Sequence, residues 1–274
     1  MPDKDLEKTL TETILLQNFE AGPENEAPRV VGKMERGDVH ERLVVFHKPR
    51  SIESEYFRFL KHRIERQMET NPDGKGKAIL ITGPNLGAGK TTCALNLALV
   101  FARSYGPKTL LLDADSRRGT TRDYLGIKGS DLPGFVDVLT MKERAGKVLV
   151  NTGLFDMVYF PSGRFNEAFL DCLKSQELTH LIRNLKERFQ YVIIDAPPAF
   201  PMPETAILAQ DCDGVFIVLK AGRDGPEDLE QAQEALEGAN ILGVILNGVK
   251  TTPGQRAGSY GYYGYYGKRS GNGG

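Results

Sequence analysis

A glycine-rich segment between two apolar runs holds the residues with the clearest chemistry. The sequence AILITGPNLGAGKTTCALNLALVFA is typical of a strand, a tight turn and a helix, the order found around phosphate-binding loops. Gly87 and Gly89 would let backbone N–H groups turn toward phosphate oxygens. Lys90 could then reach the β- and γ-phosphates, and Thr91 could offer its hydroxyl to Mg²⁺. The alternative is a glycine turn beside a surface lysine.

The nucleotide contacts predicted from this loop form one continuous stretch. They are Asn85, Leu86, Gly87, Ala88, Gly89, Lys90, Thr91 and Thr92. The usual pattern G-x-x-x-x-G-K-[ST] has a glycine where this chain has Pro84, although Gly83 comes just before it. We expect this change to alter the shape of the turn and to leave the Gly-Ala-Gly-Lys-Thr cradle intact.

Carboxylates follow two other apolar runs. LLLDADSRRG places Asp113 and Asp115 after one predicted strand, and YVIIDAPP places Asp195 after another. In an open parallel sheet these strand ends face the ligand crevice. Three carboxylates near a triphosphate would repel it unless a divalent cation lay between them, so ATP is expected together with Mg²⁺. Taken alone, each aspartate could instead cap a helix.

The elements that must position these residues can be read from the apolar pattern after Leu43. Runs of strand length alternate with segments of helical period, which predicts an α/β fold: a doubly wound, mostly parallel sheet with helices on both faces. The predicted strands are 43–46, 78–82, 109–114, 157–160, 191–196, 214–219 and 241–247. The predicted helices lie near 51–69, 90–104, 175–189, 203–210 and 226–238. The near-continuous Val, Ile and Leu content of the strands indicates burial on both faces.

The two ends of the chain differ in composition from its centre. Residues 1–41 are rich in charge, proline and glycine and are predicted to be a mostly disordered extension, in which a short amphipathic helix could form. Residues 42–250 are predicted to form the folded domain, and 251–274 a disordered tail rich in glycine and tyrosine. This tail holds half of the 10 tyrosines of the chain, namely Tyr260, Tyr262, Tyr263, Tyr265 and Tyr266.

Composition excludes several classes of function. The net charge of -1, from 35 basic and 36 acidic residues, gives no electrostatic basis for binding nucleic acid. The 3 cysteines are far apart and have no metal-ligand spacing, which fits a reducing cytoplasm. No apolar stretch approaches the roughly 20 residues that span a bilayer, and the N-terminus lacks the pattern of a signal peptide. We therefore expect a cytoplasmic chain that reaches the inner face of the membrane only through a partner.

The motifs resemble those of the bacterial tyrosine autokinases, which are P-loop kinases with a deviant Walker A sequence. LLLDADSRRG resembles their Walker A′ segment and YVIIDAPP their Walker B segment. SIESEYFRFLK resembles a family helix with an E-x-x-R-x-x-R pattern, and LPGFVDVL resembles a G-[LF]-x-D-V-L turn. GVILN and the tyrosine-rich tail resemble the family's C-terminus, so the likeness covers most of residues 43–266.

This resemblance implies transfer of phosphate from MgATP to tail tyrosines of neighbouring subunits, which regulates synthesis and export of an exopolysaccharide or capsule. By analogy, Lys90 stabilises the transferring charge, and the Mg²⁺ ligands are Thr91, Asp113 and Asp195. Either Asp113 or Asp115 would orient or deprotonate the tyrosine. Asn247 resembles a residue that contacts adenine in related ATPases, with a strand cap as the alternative.

The resemblance also implies partners. The family helix closes a homo-oligomeric ring through Glu55, Arg58 and a third basic residue, here Lys61. A solvated stripe of ion pairs within one helix is the alternative interpretation. Some family members carry a transmembrane hairpin that this chain lacks, which implies a separate integral membrane activator. A cognate tyrosine phosphatase is expected as well.

Two other functions fit the same fold. One is a positioning or partition ATPase, in which ATP closes a dimer and no protein is phosphorylated. Such ATPases carry a second lysine five positions before the loop lysine, where this chain has Asn85. The other is a non-catalytic scaffold whose shape is locked by the nucleotide, and turnover would distinguish it from a kinase.

Overall fold

The central sheet accounts for most of the strand prediction. The computed structural model describes residues 29–30, 37–68, 75–128, 132–173 and 176–250, and within them the sheet has eight strands. They are β1 (Arg29–Val30), β2 (Lys77–Thr82), β3 (Thr109–Asp113), β4 (Val150–Asn151), β5 (Val158–Phe160), β6 (Tyr191–Asp195), β7 (Gly214–Lys220) and β8 (Ile241–Asn247). Their order is β1-β4-β5-β3-β6-β2-β7-β8, and every neighbouring pair is parallel except β4 with β5. The predicted doubly wound, mostly parallel fold is therefore confirmed.

Helices cover both faces of this sheet. In the described part of the chain they are α1 (Val44–His47), α2 (Ile52–Met68), α3 (Lys90–Tyr105), α4 (Thr120–Tyr124), α5 (Phe135–Leu139), α6 (Ala145–Val148), α7 (Glu167–Leu173), α8 (Gln176–Arg188), α9 (Pro203–Gln210) and α10 (Pro226–Ala235). A short 3₁₀ turn at Gly106–Lys108 links α3 to β3. The five helices predicted from the sequence are all present, with ends within a few residues of the predicted ones.

Alternate residues of each central strand belong to different cores. In β2, Ala78 and Leu80 pack into one apolar cluster, while Ile79 and Ile81 pack into the other. The first cluster includes residues of α5, α8 and α9, and the second includes most of α3 together with Ile64 of α2. Because side chains alternate across a strand, a strand covered on both faces must be apolar throughout. This is the burial that the near-continuous apolar runs predicted.

The strand predicted at 43–46 is wrong, because this segment forms α1 and lies outside the sheet. Leu43 and Val45 are buried against the same core as α3, and the Val45 N–H donates to Asn96 Oδ1 of α3 at 3.0 Å. The His47 and Lys48 N–H groups donate to the Leu43 and Val44 carbonyls, so the backbone of the segment is paired within its own turn and with Asn96, and not with a strand. A run of four apolar residues is too short for its period to distinguish these cases.

Several features were not predicted or lie outside the described residues. β1 lies within the predicted N-terminal extension and pairs with β4, and neither strand was predicted. The amphipathic pattern at Leu6, Leu10, Ile14 and Leu15 falls outside the described residues, as does the tail 251–274. Within the described ranges, no helix is both long enough and apolar enough to cross a bilayer.

Candidate active site

The three chemical motifs meet at the carboxyl ends of three adjacent strands. β6 lies between β3 and β2, and Asp113 at the end of β3 is in register with Asp195 at the end of β6. The Ala114 N–H donates to the Asp195 carbonyl at 2.8 Å, and the Ala196 N–H donates to the Ile81 carbonyl at 3.0 Å. The strand order thus places both aspartate motifs beside the loop that follows β2.

The predicted phosphate-binding loop turns sharply into α3. Gly87 and Gly89 have φ values of 73° and 97°, a region that residues with a Cβ rarely adopt. A Cβ at Gly89 would also lie 2.0 Å from Asn247 Nδ2. α3 begins at Lys90, so the unpaired N–H groups of its first turn face the loop. A glycine turn leading into a helix N-terminus is an anion-binding arrangement.

The start of the loop explains the unusual Pro84. A Cβ at Gly83 would lie 2.3 Å from the Val218 carbonyl oxygen of β7, and the Gly83 carbonyl accepts the Ala199 N–H at 3.0 Å. The close backbone contact therefore falls at residue 83, one position before the usual glycine. Pro84 is itself buried. This contact lies ahead of the Gly-Ala-Gly-Lys-Thr segment.

Lys90 is mostly buried over this loop, with 7% of its surface exposed. Its Nζ donates to the Asn85 carbonyl at 3.0 Å. Burial lowers the pKa of Lys90 from its usual value, and the nearby carboxylates of Asp195 and Asp115 oppose that shift. The ammonium group is thus held inside the site by a single carbonyl and by the field of two acids.

Side chains from the turn after β7 and from the first turn of α10 hold the first half of the loop. Asn85 Nδ2 donates to Asp228 Oδ1 at 2.8 Å and to Asp224 Oδ1 at 3.2 Å. Arg223 Nη1 donates to the Leu86 carbonyl at 2.8 Å. None of Arg223, Asp224 and Asp228 was predicted. Asp228 also accepts the Gly225 N–H as a helix cap, and that pattern alone was visible in the sequence.

Asp113 and Asp115 have different surroundings. Asp113 is fully buried, and its carboxylate accepts the Asp115 N–H at 3.1 Å and the Tyr159 hydroxyl at 3.3 Å. Burial raises the pKa of Asp113 well above its usual value, and the charges of Asp195 and Asp115 add to that shift. Asp115 instead lines the cavity in front of Lys90. Burial raises its pKa too, while Lys90 and Arg118 lower it.

The two carboxylate oxygens of Asp195 differ in their hydrogen bonding. Its Oδ2 accepts the Thr121 hydroxyl at 2.9 Å, and Thr91 also bonds to this carboxylate. Its Oδ1 is buried and has no hydrogen-bond partner among the described residues. Burial raises the pKa of Asp195 to about 6. A buried acceptor beside a threonine hydroxyl fits a Mg²⁺ ligand.

The described residues contain no complete protein cage for a metal. Across the described ranges, no group of three or more His, Cys, Asp and Glu residues is placed to hold an ion. Magnesium characteristically takes one or two carboxylates and completes its octahedron with substrate phosphates and water. The residues present therefore fit Mg²⁺ bound together with a nucleotide.

A cavity of about 150 Å³ opens in front of the loop. Seven residues that the sequence predicted to bind nucleotide or act in catalysis line its wall: Leu86, Gly87, Gly89, Lys90, Thr91, Thr92 and Asp115. Its other wall residues, which sequence reasoning missed, are Arg42, Arg118, Thr120 and Tyr124. Asn247 is not in the wall, and its Nδ2 donates to the Ala88 carbonyl at 2.8 Å. Its contact with adenine stays a prediction.

A second cavity, of about 250 Å³, adjoins the first and shares Arg118 with it. Three further arginines line it: Arg117, Arg122 and Arg164. Arg117 Nε lies 2.9 Å from Glu204 Oε1, and its guanidinium lies 4.1 Å from the centre of the Phe165 ring. Arg122 has an acidic partner as well, since its Nε lies 3.7 Å from Asp123 Oδ1.

The predicted interface residues divide into two settings on α2. Glu55 and Arg58 are half-buried and form an ion pair beside the exposed rings of Tyr56 and Phe59, and Arg58 also donates to the Pro49 carbonyl. Lys61 instead pairs with Glu65 at 2.7 Å and lies over the rings of Phe101 and Tyr105. Lys61 is thus engaged within its own subunit.

The predicted acceptor tyrosines of the tail lie outside the described residues.

Comparison with known proteins points to one family. A family profile described as AAA domain matches residues 76–239. The tyrosine-protein kinase CpsD of Streptococcus agalactiae serotype III is 34% identical over 71% of this chain and 82% of its own length. The tyrosine-protein kinase YwqD of Bacillus subtilis is 30% identical over 82% of this chain and 94% of its own length. The kinase domain of the Escherichia coli tyrosine kinase ETK superposes on this chain with a TM-score of 0.70 at 24% identity. The superposition covers 86% of this chain and 95% of that domain, which shows a shared fold.

Proposed function

Since this chain belongs to the bacterial protein-tyrosine kinases and is an enzyme of that type, we propose that it phosphorylates the tyrosine cluster of its own C-terminal tail. The observation that carries the proposal is the cavity in which Lys90, Thr91 and Asp115 meet at the start of α3. The acceptors would be Tyr260, Tyr262, Tyr263, Tyr265 and Tyr266, which glycines separate into short groups. ATP is the phosphoryl donor.

Different residues of the site would bind the phosphates and the metal ion during phosphoryl transfer. Loop N–H groups and Lys90 bind the β- and γ-phosphates and stabilise the charge that develops as the γ-phosphoryl group moves. Bound Mg²⁺ would supply further neutralisation of that charge. The Thr91 hydroxyl and the free oxygen of Asp195 would hold the ion.

We assign the acceptor-facing role to Asp115 and not to Asp113. Asp115 lies in the cavity wall, where it could orient the tyrosine hydroxyl and accept its proton. Its raised pKa brings it closer to the range useful for a base at neutral pH. Asp113 is fully buried behind it and uses one carboxylate oxygen to bind the Asp115 N–H, so we assign it to positioning Asp115. Any contact of Asp113 with Mg²⁺ would be indirect.

The same proposal includes the cellular setting. Tail phosphorylation would regulate synthesis and export of an exopolysaccharide or capsule, the setting that the family resemblance implies. The kinase would act in the cytoplasm as a homo-oligomer at the inner face of the membrane, held and activated by a separate integral membrane chain. A tyrosine phosphatase would reset the tail.

The test is direct mapping of phosphate after incubation with MgATP. The purified full chain is compared with Lys90→Met and with a variant in which all five tail tyrosines are phenylalanine. Samples are incubated with and without the cytoplasmic segments of a candidate membrane partner and analysed by tandem mass spectrometry. We expect phosphate on residues 260–266 of the parent and none on either variant, with circular dichroism showing that Lys90→Met is folded.

Two results would contradict the proposal. Phosphate found only outside residues 260–266 would mean that the tail is not the substrate. ATP hydrolysis without any phosphotyrosine, with or without the partner, would favour a positioning ATPase. The structure offers an argument against that alternative, because Asn85 stands in place of the second lysine and is bonded within its own subunit to Asp224 and Asp228.

A further inference from the structure

Arg42 brings a positive charge to the nucleotide cavity from a segment that no recognised motif includes. It lies just before α1, about fifty residues ahead of the phosphate-binding loop, and its side chain forms part of the cavity wall with Lys90, Thr91 and Asp115. Its position therefore depends on how the segment before α1 packs against α3. Both ends of Arg42 are fixed by contacts of the described residues.

The backbone of Arg42 is attached to α3 through Asn96. Asn96 is fully buried, and its Nδ2 donates to the Arg42 carbonyl at 2.9 Å and to the Thr92 carbonyl at 2.8 Å. Its Oδ1 accepts the Val45 N–H at 3.0 Å. Since Thr92 lies in the cavity wall, one amide group connects the backbone of Arg42 to the helix turn that follows the phosphate-binding loop. A buried amide with both donors and its acceptor satisfied fixes such a link rigidly.

The guanidinium of Arg42 is bonded to Tyr124, another residue of the cavity wall. Its Nη1 donates to the Tyr124 hydroxyl at 3.3 Å. The Tyr124 ring is stacked on His40, with centroids 4.2 Å apart and planes 7° from parallel. The His40 N–H donates to the Tyr124 carbonyl at 3.0 Å, and the Arg42 N–H lies 3.1 Å from His40 Nδ1. The segment thus carries its own support for the Arg42 side chain.

Arg42 has no counter-ion among the residues that the structure describes. No carboxylate of those residues lies within ion-pair distance of it, and the side chain is exposed. A planar guanidinium with several free N–H groups binds phosphate oxygens in a two-pronged geometry. A fixed, uncompensated guanidinium beside a phosphate-binding loop indicates an anionic ligand that arrives with the substrate.

We propose that Arg42 is a catalytic residue that stabilises the phosphoryl group during transfer. In the step considered, the bond from the γ-phosphorus to the oxygen it shares with the β-phosphate breaks and ADP leaves. A new bond forms to the tyrosine oxygen, and the hydroxyl proton passes to Asp115. Arg42 would contact the oxygens of the moving group together with Lys90. This inference rests on the proposed kinase reaction, in which an arginine supplied within the subunit is a known type of stabiliser.

The decisive variants are Arg42→Ala and Arg42→Lys, with Arg50→Ala as the matched control. Arg50 is an exposed arginine of the same stretch that lines neither cavity. Each full-length protein is titrated with fluorescent ADP in the presence of Mg²⁺, with and without aluminium fluoride, which mimics the phosphoryl group in flight. Steady-state phosphorylation of tail tyrosines gives kcat and the KM for ATP.

We expect Arg42→Ala to bind ADP within about twofold of the parent and to lose the additional affinity that aluminium fluoride provides. Its kcat should fall about 10³-fold with little change in KM, in line with other arginines of this kind. Arg42→Lys should recover only part of both losses, because a lysine lacks the planar fork. Arg50→Ala should match the parent.

Three outcomes would overturn the assignment. Parental kcat in Arg42→Ala would show that the residue is not needed for transfer, and an equal loss of ADP affinity with and without aluminium fluoride would make it a ground-state ligand. A parent that phosphorylates tyrosine yet gains no affinity from aluminium fluoride would also contradict it. If the parent phosphorylates no tyrosine, the proposed function fails, but the aluminium fluoride titration still decides the role of Arg42.

Discussion

Asn85 occupies the position at which a positioning ATPase would carry a lysine, and here it anchors the phosphate-binding loop. We expect Asn85→Ala to weaken ATP binding about tenfold. The substitution removes the bonds to Asp224 and Asp228 and leaves carboxylate oxygens without that partner, a loss of about 1 to 2 kcal/mol. Equilibrium titration with a fluorescent ATP analogue measures the change.

The control for that titration is Asn240→Ala. Asn240 also donates one side-chain bond, to the Asp213 carbonyl at 2.7 Å, but it lies away from the nucleotide cavity. Its substitution should leave ATP affinity unchanged. Parental affinity in Asn85→Ala would mean that the loop holds its shape without this anchor.

Asp195 gives the metal-free protein a predictable dependence on pH. Its pKa is about 6 in the folded protein and 3.8 in the unfolded chain, so the folded state binds an additional proton between these values. The free energy of unfolding should therefore fall as pH rises through that window, by about 3 kcal/mol in total. Asp195→Asn removes this loss. In EDTA, we expect the variant to exceed the parent in stability by about 2 to 3 kcal/mol at pH 8 and by less than about 1 kcal/mol at pH 4.5.

Urea unfolding of both proteins at the two pH values checks this prediction. The same difference in stability at pH 4.5 and pH 8 would mean that Asp195 does not titrate in this window. Added Mg²⁺ and ATP should stabilise the parent more than the variant at pH 8, because the parent alone keeps the carboxylate that the ion requires.

At the scale of elements, α2 presents a surface that its own subunit leaves uncovered. Glu55 and Arg58 are paired there beside Tyr56 and Phe59, whose surfaces are 56% and 61% exposed. A partly exposed pair within one helix contributes about 0.3 to 0.5 kcal/mol, and the Arg58 bond to the Pro49 carbonyl contributes about 1 kcal/mol. Glu55→Ala with Arg58→Ala should therefore cost each subunit only about 1 to 2 kcal/mol of stability. If α2 is a subunit interface, the double variant should self-associate less while binding ATP normally.

Light scattering coupled to size exclusion, over a concentration series in which the parent assembles, measures that effect. Lys75→Ala with Glu187→Ala removes another exposed pair, 3.3 Å apart, and serves as the control. An unchanged mass in the Glu55 and Arg58 variant would exclude these residues from the interface. Lys61 is a poor choice for this test, because its substitution would disturb contacts inside the subunit.

The elements that the sequence predicts well are those fixed by repeated local patterns. β2, β3 and β6 are continuous apolar runs followed by a motif residue, so their existence and the grouping of Lys90, Asp113 and Asp195 follow from the rule for parallel sheets. α1 could not be predicted, because four apolar residues show no clear period and the burial of Leu43 and Val45 beside α3 depends on contacts that are distant in sequence. Arg42 was missed for the same reason. Its place in the cavity depends on contacts to α3 and α4 that are distant in sequence.

At the scale of the whole molecule, phosphorylation of the tail would change the charge of a nearly neutral chain. The net charge is -1, and each phosphotyrosine adds about -1.5 to -2 charges at neutral pH. Full modification of the five tail tyrosines would therefore add roughly -8 to -10 per subunit. Subunits that carry this charge repel one another when packed together, so we expect assemblies to loosen as phosphate accumulates.

Native mass measurement on samples taken during incubation with MgATP relates assembly size to the number of phosphates per chain. The variant with five tail phenylalanines should remain assembled under the same conditions, since it cannot accumulate the charge. Dissociation caused by repulsion should also diminish in about 0.5 M salt, where the Debye length falls to roughly 4 Å. Light scattering at both ionic strengths measures this effect, because native mass measurement requires volatile buffers of low salt. If the assembly keeps its size at full phosphorylation, the tail is a substrate and does not control assembly. If the assembly dissociates equally at low and high salt, a change in subunit shape and not charge repulsion causes the dissociation.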